Sequence, residues 1–161
     1  MGGNEQVFEQ LNKLRKSRTL IVGVGNTLKG DDGAGPILCQ QLAGKTSAEL
    51  IDAAMVPENY IQQIIKKAPQ NLLIIDAIDF SSPPGTINIF KPGQLNSLVI
   101  STHTLSPRIF VDMITKEINV EVYFIGIQPA QTTLGQSLSN DITEAVRYLA
   151  EVLIEIFPLE K

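Results

Sequence analysis

The sequence predicts an α/β fold: a mostly parallel sheet covered by helices on both faces, a three-layer sandwich. Two observations predict it. Short, wholly apolar runs of strand length alternate along the chain with stretches whose apolar residues recur at helical spacing. One connection, SSPPG at 81–85, is too short for a crossover helix, so one strand runs antiparallel to its neighbours.

The elements follow in order. Val7, Phe8, Leu11 and Leu14 define an amphipathic helix over 5–16. Thr19 to Val24 is a buried strand that ends in Gly25. A helix follows, starting between Asp32 and Pro36, where proline is tolerated only in the first turn, and running to about Ala43 before Gly44. Glu49 to Ala53 is a weaker strand. Pro57 opens a helix with Tyr60, Ile61, Ile64, Ile65 and Ala68 on one face. Asn71 to Asp76 is a buried strand, and 86–90 is the antiparallel one. Ser106-Pro107 starts a helix carrying Ile109, Phe110, Met113, Ile114 and Glu117. Asn119 to Ile127 is the last strand, 130–140 a polar loop, and Asp141 to Phe157 an amphipathic helix stopped by Pro158. The 161 residues form one domain, with a helical extension over 1–17 and a core over 18–157.

Composition narrows function. With 17 acidic and 13 basic side chains the net charge is −4, so no basic footprint for nucleic acid is present. The apolar runs are too short to span a bilayer and the N-terminus lacks a signal-type apolar run, which favours the cytoplasm. One Cys and one His cannot by themselves build a structural zinc site. Any chemistry that needs an imidazole must use His103.

The first strand runs into GVGNTLKGDDGAG, residues 23–35. A dinucleotide fingerprint fails because Leu28 stands where the third glycine belongs, and no Lys-Ser or Lys-Thr pair follows Gly30. Asp31 and Asp32 would also repel a phosphate at the helix start. Helix capping accounts for one Asp but not for two flanked by Gly30 and Gly33, so a metal ligand is the sharper reading. Asp76 closes a wholly apolar strand at the carboxyl edge of the sheet, the edge where ligands gather, although it could equally be a turn residue, with Asp79 as a competitor. His103 sits in STHTLSP, just ahead of a helix; taken alone, a structural role is the commoner one. Together Asp32, Asp76 and His103 can form a mixed oxygen and nitrogen site with open positions, suited to Zn, Ni, Co, Mn or Fe(II). Nucleophilic catalysis finds little support. GQSLS at 135–139 lacks the final glycine of a nucleophile elbow, and Cys39 lies inside a helix among acids.

The segments VGVGNTLKGDDGAGP (22–36), MVPEN (55–59), LLIIDAID (72–79), STHTLSP (101–107) and FIGIQP (124–129) together resemble the hydrogenase maturation endopeptidases, most of all the hydrogenase 3, formate hydrogenlyase, type. The likeness runs from about Thr19 to Phe157. It implies a twisted, mostly parallel five-stranded sheet between helices. It also implies an enzyme that cuts a short C-terminal extension from the nickel-loaded precursor of a nickel–iron hydrogenase large subunit. By the same likeness, Asp32, Asp76 and His103 contact a nickel held by the precursor's thiolates, and Gly25, Asn26 and Gly33 shape the loop that approaches the substrate. Asp32 and Asp76 are then the candidate catalytic carboxylates, with Asp31 or Asp79 as groups that could orient a water; the nickel either activates that water itself or serves only as the docking point. Two rivals remain: a nickel-binding assembly factor that does not cleave, and a general peptidase that carries its own metal.

Overall fold

The computed structural model describes residues 2–95, 99–100 and 105–160. Its helices are α1 (Gly2–Asn12), α2 (Ala34–Leu42), α3 (Ile61–Lys67), α4 (Pro107–Thr115) and α5 (Asn140–Ile156). Its strands are β1 (Thr19–Val24), β2 (Glu49–Ala54), β3 (Asn71–Asp79), β4 (Ile87–Phe90), β5 (Val99–Ile100) and β6 (Glu121–Ile127). Five of them lie in the order β2-β1-β3-β6-β4, and the two-residue β5 pairs with β3 off that path. The first four are mutually parallel, and β4 runs antiparallel to β6 with Ile87 opposite Ile127. The expected five-stranded, mostly parallel sheet with one reversed strand is therefore present, and the short β5 adds a second antiparallel pairing, to the end of β3.

Alternation along each strand builds the layers. On one face Ile21, Leu73, Ile75, Ile125 and Ile127 pack with Leu38 and Leu42 of α2 and with Val146, Leu149 and Leu153 of α5. Val7 and Leu11 of α1 join that cluster. On the other face Leu20, Val22, Leu72, Ile74 and Phe124 pack with Ile61 and Ile64 of α3 and with Phe110 and Ile114 of α4. Every residue of β1 is buried, as a central parallel strand requires, whereas β2 at the sheet edge is buried only at alternate positions. Each fully buried Leu or Ile contributes about 1.5–3 kcal/mol, so the two cores together hold the helices to the sheet.

Several boundaries differ from expectation: α4 stops at Thr115, short of Glu117, β6 begins at Glu121 and not at Asn119, and three others have a visible cause. Helix α1 ends at Asn12 because tighter bonds, Leu14 N–H to Leu11 O (2.9 Å) and Arg15 N–H to Asn12 O (3.1 Å), close its last turn. Lys16, at φ 69°, then turns the chain into β1. Pro57 opens a 3-10 turn, Pro57–Tyr60, before α3 begins. β3 continues past Asp76 to Asp79, because β6 still pairs with it through Ala77 and β5 pairs with Ile78 and Asp79.

Cys39 lies inside α2, as expected, and its side chain is buried. Its thiol donates to Ile51 O at 3.6 Å. Burial, reinforced by the negative charge of Asp52, pushes its pKa up to about 12. The thiol therefore stays protonated and is no nucleophile at neutral pH.

Candidate active site at the carboxyl edge of the sheet

The chain leaves β1 for β2 through α2 on one face, and leaves β3 for β6 by way of α4 on the other. β1 and β3 are neighbours, so their carboxyl ends form a topological switch point, where α/β sheets open a crevice. The acids singled out from the sequence lie in the two segments that reach this point.

The β1 side is a tightly closed loop. The Gly25 N–H bonds Ala54 O at 2.8 Å, tying the loop to the end of β2. The Asn26 N–H reaches both Asp32 O (3.1 Å) and Asp32 Oδ2 (3.2 Å). Asn26 Oδ1 accepts the Leu28 N–H at 2.9 Å, and the Lys29 N–H returns to Asn26 O at 3.1 Å. Gly25 has φ +151°, and a Cβ there would lie 1.9 Å from Asp32 O. Only glycine lets the strand turn into this loop.

The loop ends in a 3-10 turn, Gly30–Gly33, that runs directly into α2 and packs against β3. Contact is close because Gly35, in the first turn of α2, has no side chain: a Cβ there would come within 2.4 Å of both Val24 O and Ile75 O. Gly33 is the N-cap residue of α2 and no side chain closes that cap, so neither Asp serves it in the manner weighed from the sequence.

Asp32 and Asp31, both buried, face different partners. Asp32 takes the Asn26 N–H within its own loop. Asp31 instead reaches the loop after β6. Its Oδ2 accepts the Ala130 N–H (2.9 Å), the Gln131 N–H (3.0 Å) and the Ser139 hydroxyl (2.9 Å), and its Oδ1 accepts the Ser139 N–H (2.7 Å).

Asp76 lies within β3, opposite Gly126 of β6 and one residue past Ile75, the last residue that β1 pairs. Alternation places it on the face of Leu72, Ile74 and Ile78, the α3 and α4 side. Its side chain is fully buried. The expectation of a carboxylate at an open strand end is thereby corrected: the strand continues, and the group is enclosed. Asp79, at the true end of β3, is exposed. The Ser81 N–H (3.0 Å) and the Gln128 amide (3.1 Å) hold its carboxyl below the usual value.

The turn carrying Asp32 thus packs against the strand carrying Asp76. His103 lies outside the described residues, two positions before Leu105 on the approach to α4. Among the described residues no three His, Cys, Asp or Glu side chains gather as metal ligands.

Residues 37–156 match the family model HycI, hydrogenase maturation protease. The hydrogenase 3 maturation protease of Escherichia coli K12 is 35% identical over 130 residues, covering 79% of this chain and 83% of that protein. This chain belongs to the hydrogenase maturation protease family. A putative hydrogenase maturation protease of Methanocaldococcus jannaschii is 33% identical over 157 residues, covering 91% of this chain and 92% of its own. The crystal structure of a nickel–iron hydrogenase maturation protease, HycI, from Thermococcus kodakarensis superposes with a TM-score of 0.83 at 32% identity, covering 93% of this chain and 97% of that one. The solution structure of the E. coli endopeptidase HycI gives 0.77 at 33% identity, covering 84% and 88%.

In this maturation protease two further residues build the edge, and the sequence assigned a task to neither. Gln128, in the FIGIQP segment, accepts the Phe80 N–H (2.8 Å) and the Ser82 N–H (3.3 Å) at Oε1 while its Nε2 donates to Asp79. It fixes the exit from β3. Ser139, the N-cap residue of α5, gives its hydroxyl to Asp31 and makes no cap bond of its own. A Gln directly after an apolar strand is a readable signal for the first; nothing local marks the second.

Proposed function

We propose that this protease removes a short C-terminal extension from the nickel-loaded precursor of a nickel–iron hydrogenase large subunit, with Asp32 and Asp76 acting at the nickel. Asp32, Asp76 and His103 add oxygen and nitrogen donors to a metal that the precursor already holds through thiolates. The nickel belongs to the substrate, and two carboxylates with one imidazole suit a partly filled coordination sphere of this kind. The observation that carries the reading is the packing of the Gly30–Gly33 turn, which bears Asp32, against β3, which bears the buried Asp76. Gly25, Asn26 and Gly33 hold the loop that presents Asp32. Leu28 and Leu134 support a protein substrate: they are 68% and 71% exposed, on loops joined by the Gly135 N–H to Leu28 O bond of 2.8 Å.

Docking positions the tail, and a carboxylate activates the water that cleaves it. That role falls to Asp32 or Asp76. Asp79 is held ionised by its two donors and is a correspondingly weak base. Asp31 already accepts four hydrogen bonds. A cytoplasmic setting suits such a step, and no helix among the described residues is long and apolar enough to cross a membrane.

The test is mass spectrometry of the precursor's C-terminus after incubation with the protease. The tail is expected to be released from nickel-loaded precursor and retained in nickel-free precursor. Release from both would favour a general peptidase; release from neither would favour a non-cleaving assembly factor.

A further inference from the structure

The Asp31 carboxylate spans two walls of the candidate site. It sits in the turn next to Asp32, yet all four of its hydrogen bonds go to residues 130, 131 and 139, about a hundred positions away in sequence. Three of the donors are backbone N–H groups, so their positions are fixed by the chain and not by a rotamer. The Ser139 N–H and hydroxyl lie at the start of the 17-residue α5, whose N-terminal dipole also favours a negative group. Backbone bonds run alongside: Gly30 N–H to Gln136 O (3.0 Å) and Asp31 N–H to Gln131 O (2.9 Å). The turn that carries Asp32 is thus fastened to the 129–139 loop chiefly through one side chain.

We propose that Asp31 is a positioning residue: its four bonds to the 129–139 loop hold the turn that carries the neighbouring Asp32 in place against β3, the strand that carries Asp76. This rests on the reading of Asp32 as a nickel contact. It assigns Asp31 neither the metal nor the water. An amide cannot replace the carboxylate, because every partner is a donor and one of the two amide atoms would turn N–H groups toward them.

The measurement is the ratio of affinities for nickel-loaded and nickel-free precursor large subunit, taken by calorimetry beside a thermal melt. A general loosening of the fold lowers both affinities alike and leaves the ratio unchanged. Displacement of Asp32 lowers the nickel-loaded affinity selectively. Asp31→Asn is expected to cut the ratio by about 10–100-fold, the usual effect of losing a group that orients a ligand. Ser139→Ala removes only the hydroxyl bond and is expected to cut it by about two- to tenfold with the fold intact. If Asp31→Asn does not fold, Ser139→Ala decides alone. An unchanged ratio in the folded variants overturns the proposal. A wild-type protein with no preference for nickel-loaded precursor overturns the nickel reading itself, and the inference with it.

Discussion

Gly25→Ala is expected to abolish precursor cleavage. The added Cβ meets Asp32 O at 1.9 Å, an overlap with backbone that no rotamer change relieves. The φ of +151° costs a non-glycine residue roughly 1–3 kcal/mol more. The loop can accept the methyl group only by moving the Asp32 carbonyl, which breaks the Asn26 N–H bonds that close it. A displacement near 1 Å at a positioned group is enough to slow a reaction about a hundredfold. The loss should therefore be at least about that large, read as tail release from nickel-loaded precursor. No core side chain is altered by the substitution, so the variant is expected to fold, which a thermal melt checks. Full activity in Gly25→Ala would show that the geometry between β1 and α2 is not what positions Asp32.

Asp76→Asn is expected to lower kcat/KM for nickel-loaded precursor by at least about a hundredfold, with the fold preserved. The amide matches the carboxylate in size, so it fills the enclosed space beside β6 without opening a cavity. It replaces one carboxyl oxygen by an amide nitrogen, which neither donates to nickel nor takes a proton as a carboxylate would. Asn is a safer probe here than Ala, because the side chain is buried and truncation would also test packing. Circular dichroism and a melt separate the two effects. A folded Asp76→Asn protein with wild-type turnover would remove Asp76 from the site.

Much of this architecture is legible in the residues because burial dictates the pattern. The β1 run TLIVGV is apolar throughout, and in the sheet it is buried throughout. The reversed β4 follows from the brevity of SSPPG, since no helix fits there. Less is legible where distant partners decide. Asp76 resembles a strand terminus because a charged residue interrupts an apolar run; only β5 and β6, which arrive later in the chain, extend β3 beyond it. β5 itself is two residues long and carries no periodicity. Within the site, Asp32 is readable beside its glycines. The partners of Asp31 are not readable, since its carboxylate is satisfied by backbone N–H groups, which any sequence possesses. Side-chain chemistry can be inferred locally, whereas the loop that receives it is set by the fold.

The central claim is that carboxylates of this chain join the coordination sphere of a nickel held by the precursor. Nickel X-ray absorption of the complex between protease and nickel-loaded precursor tests it most directly. Oxygen and nitrogen neighbours of the nickel are expected to increase when the wild-type protease binds, and to increase less with Asp32→Asn or Asp76→Asn. A nickel environment unchanged by a bound wild-type protease would contradict it.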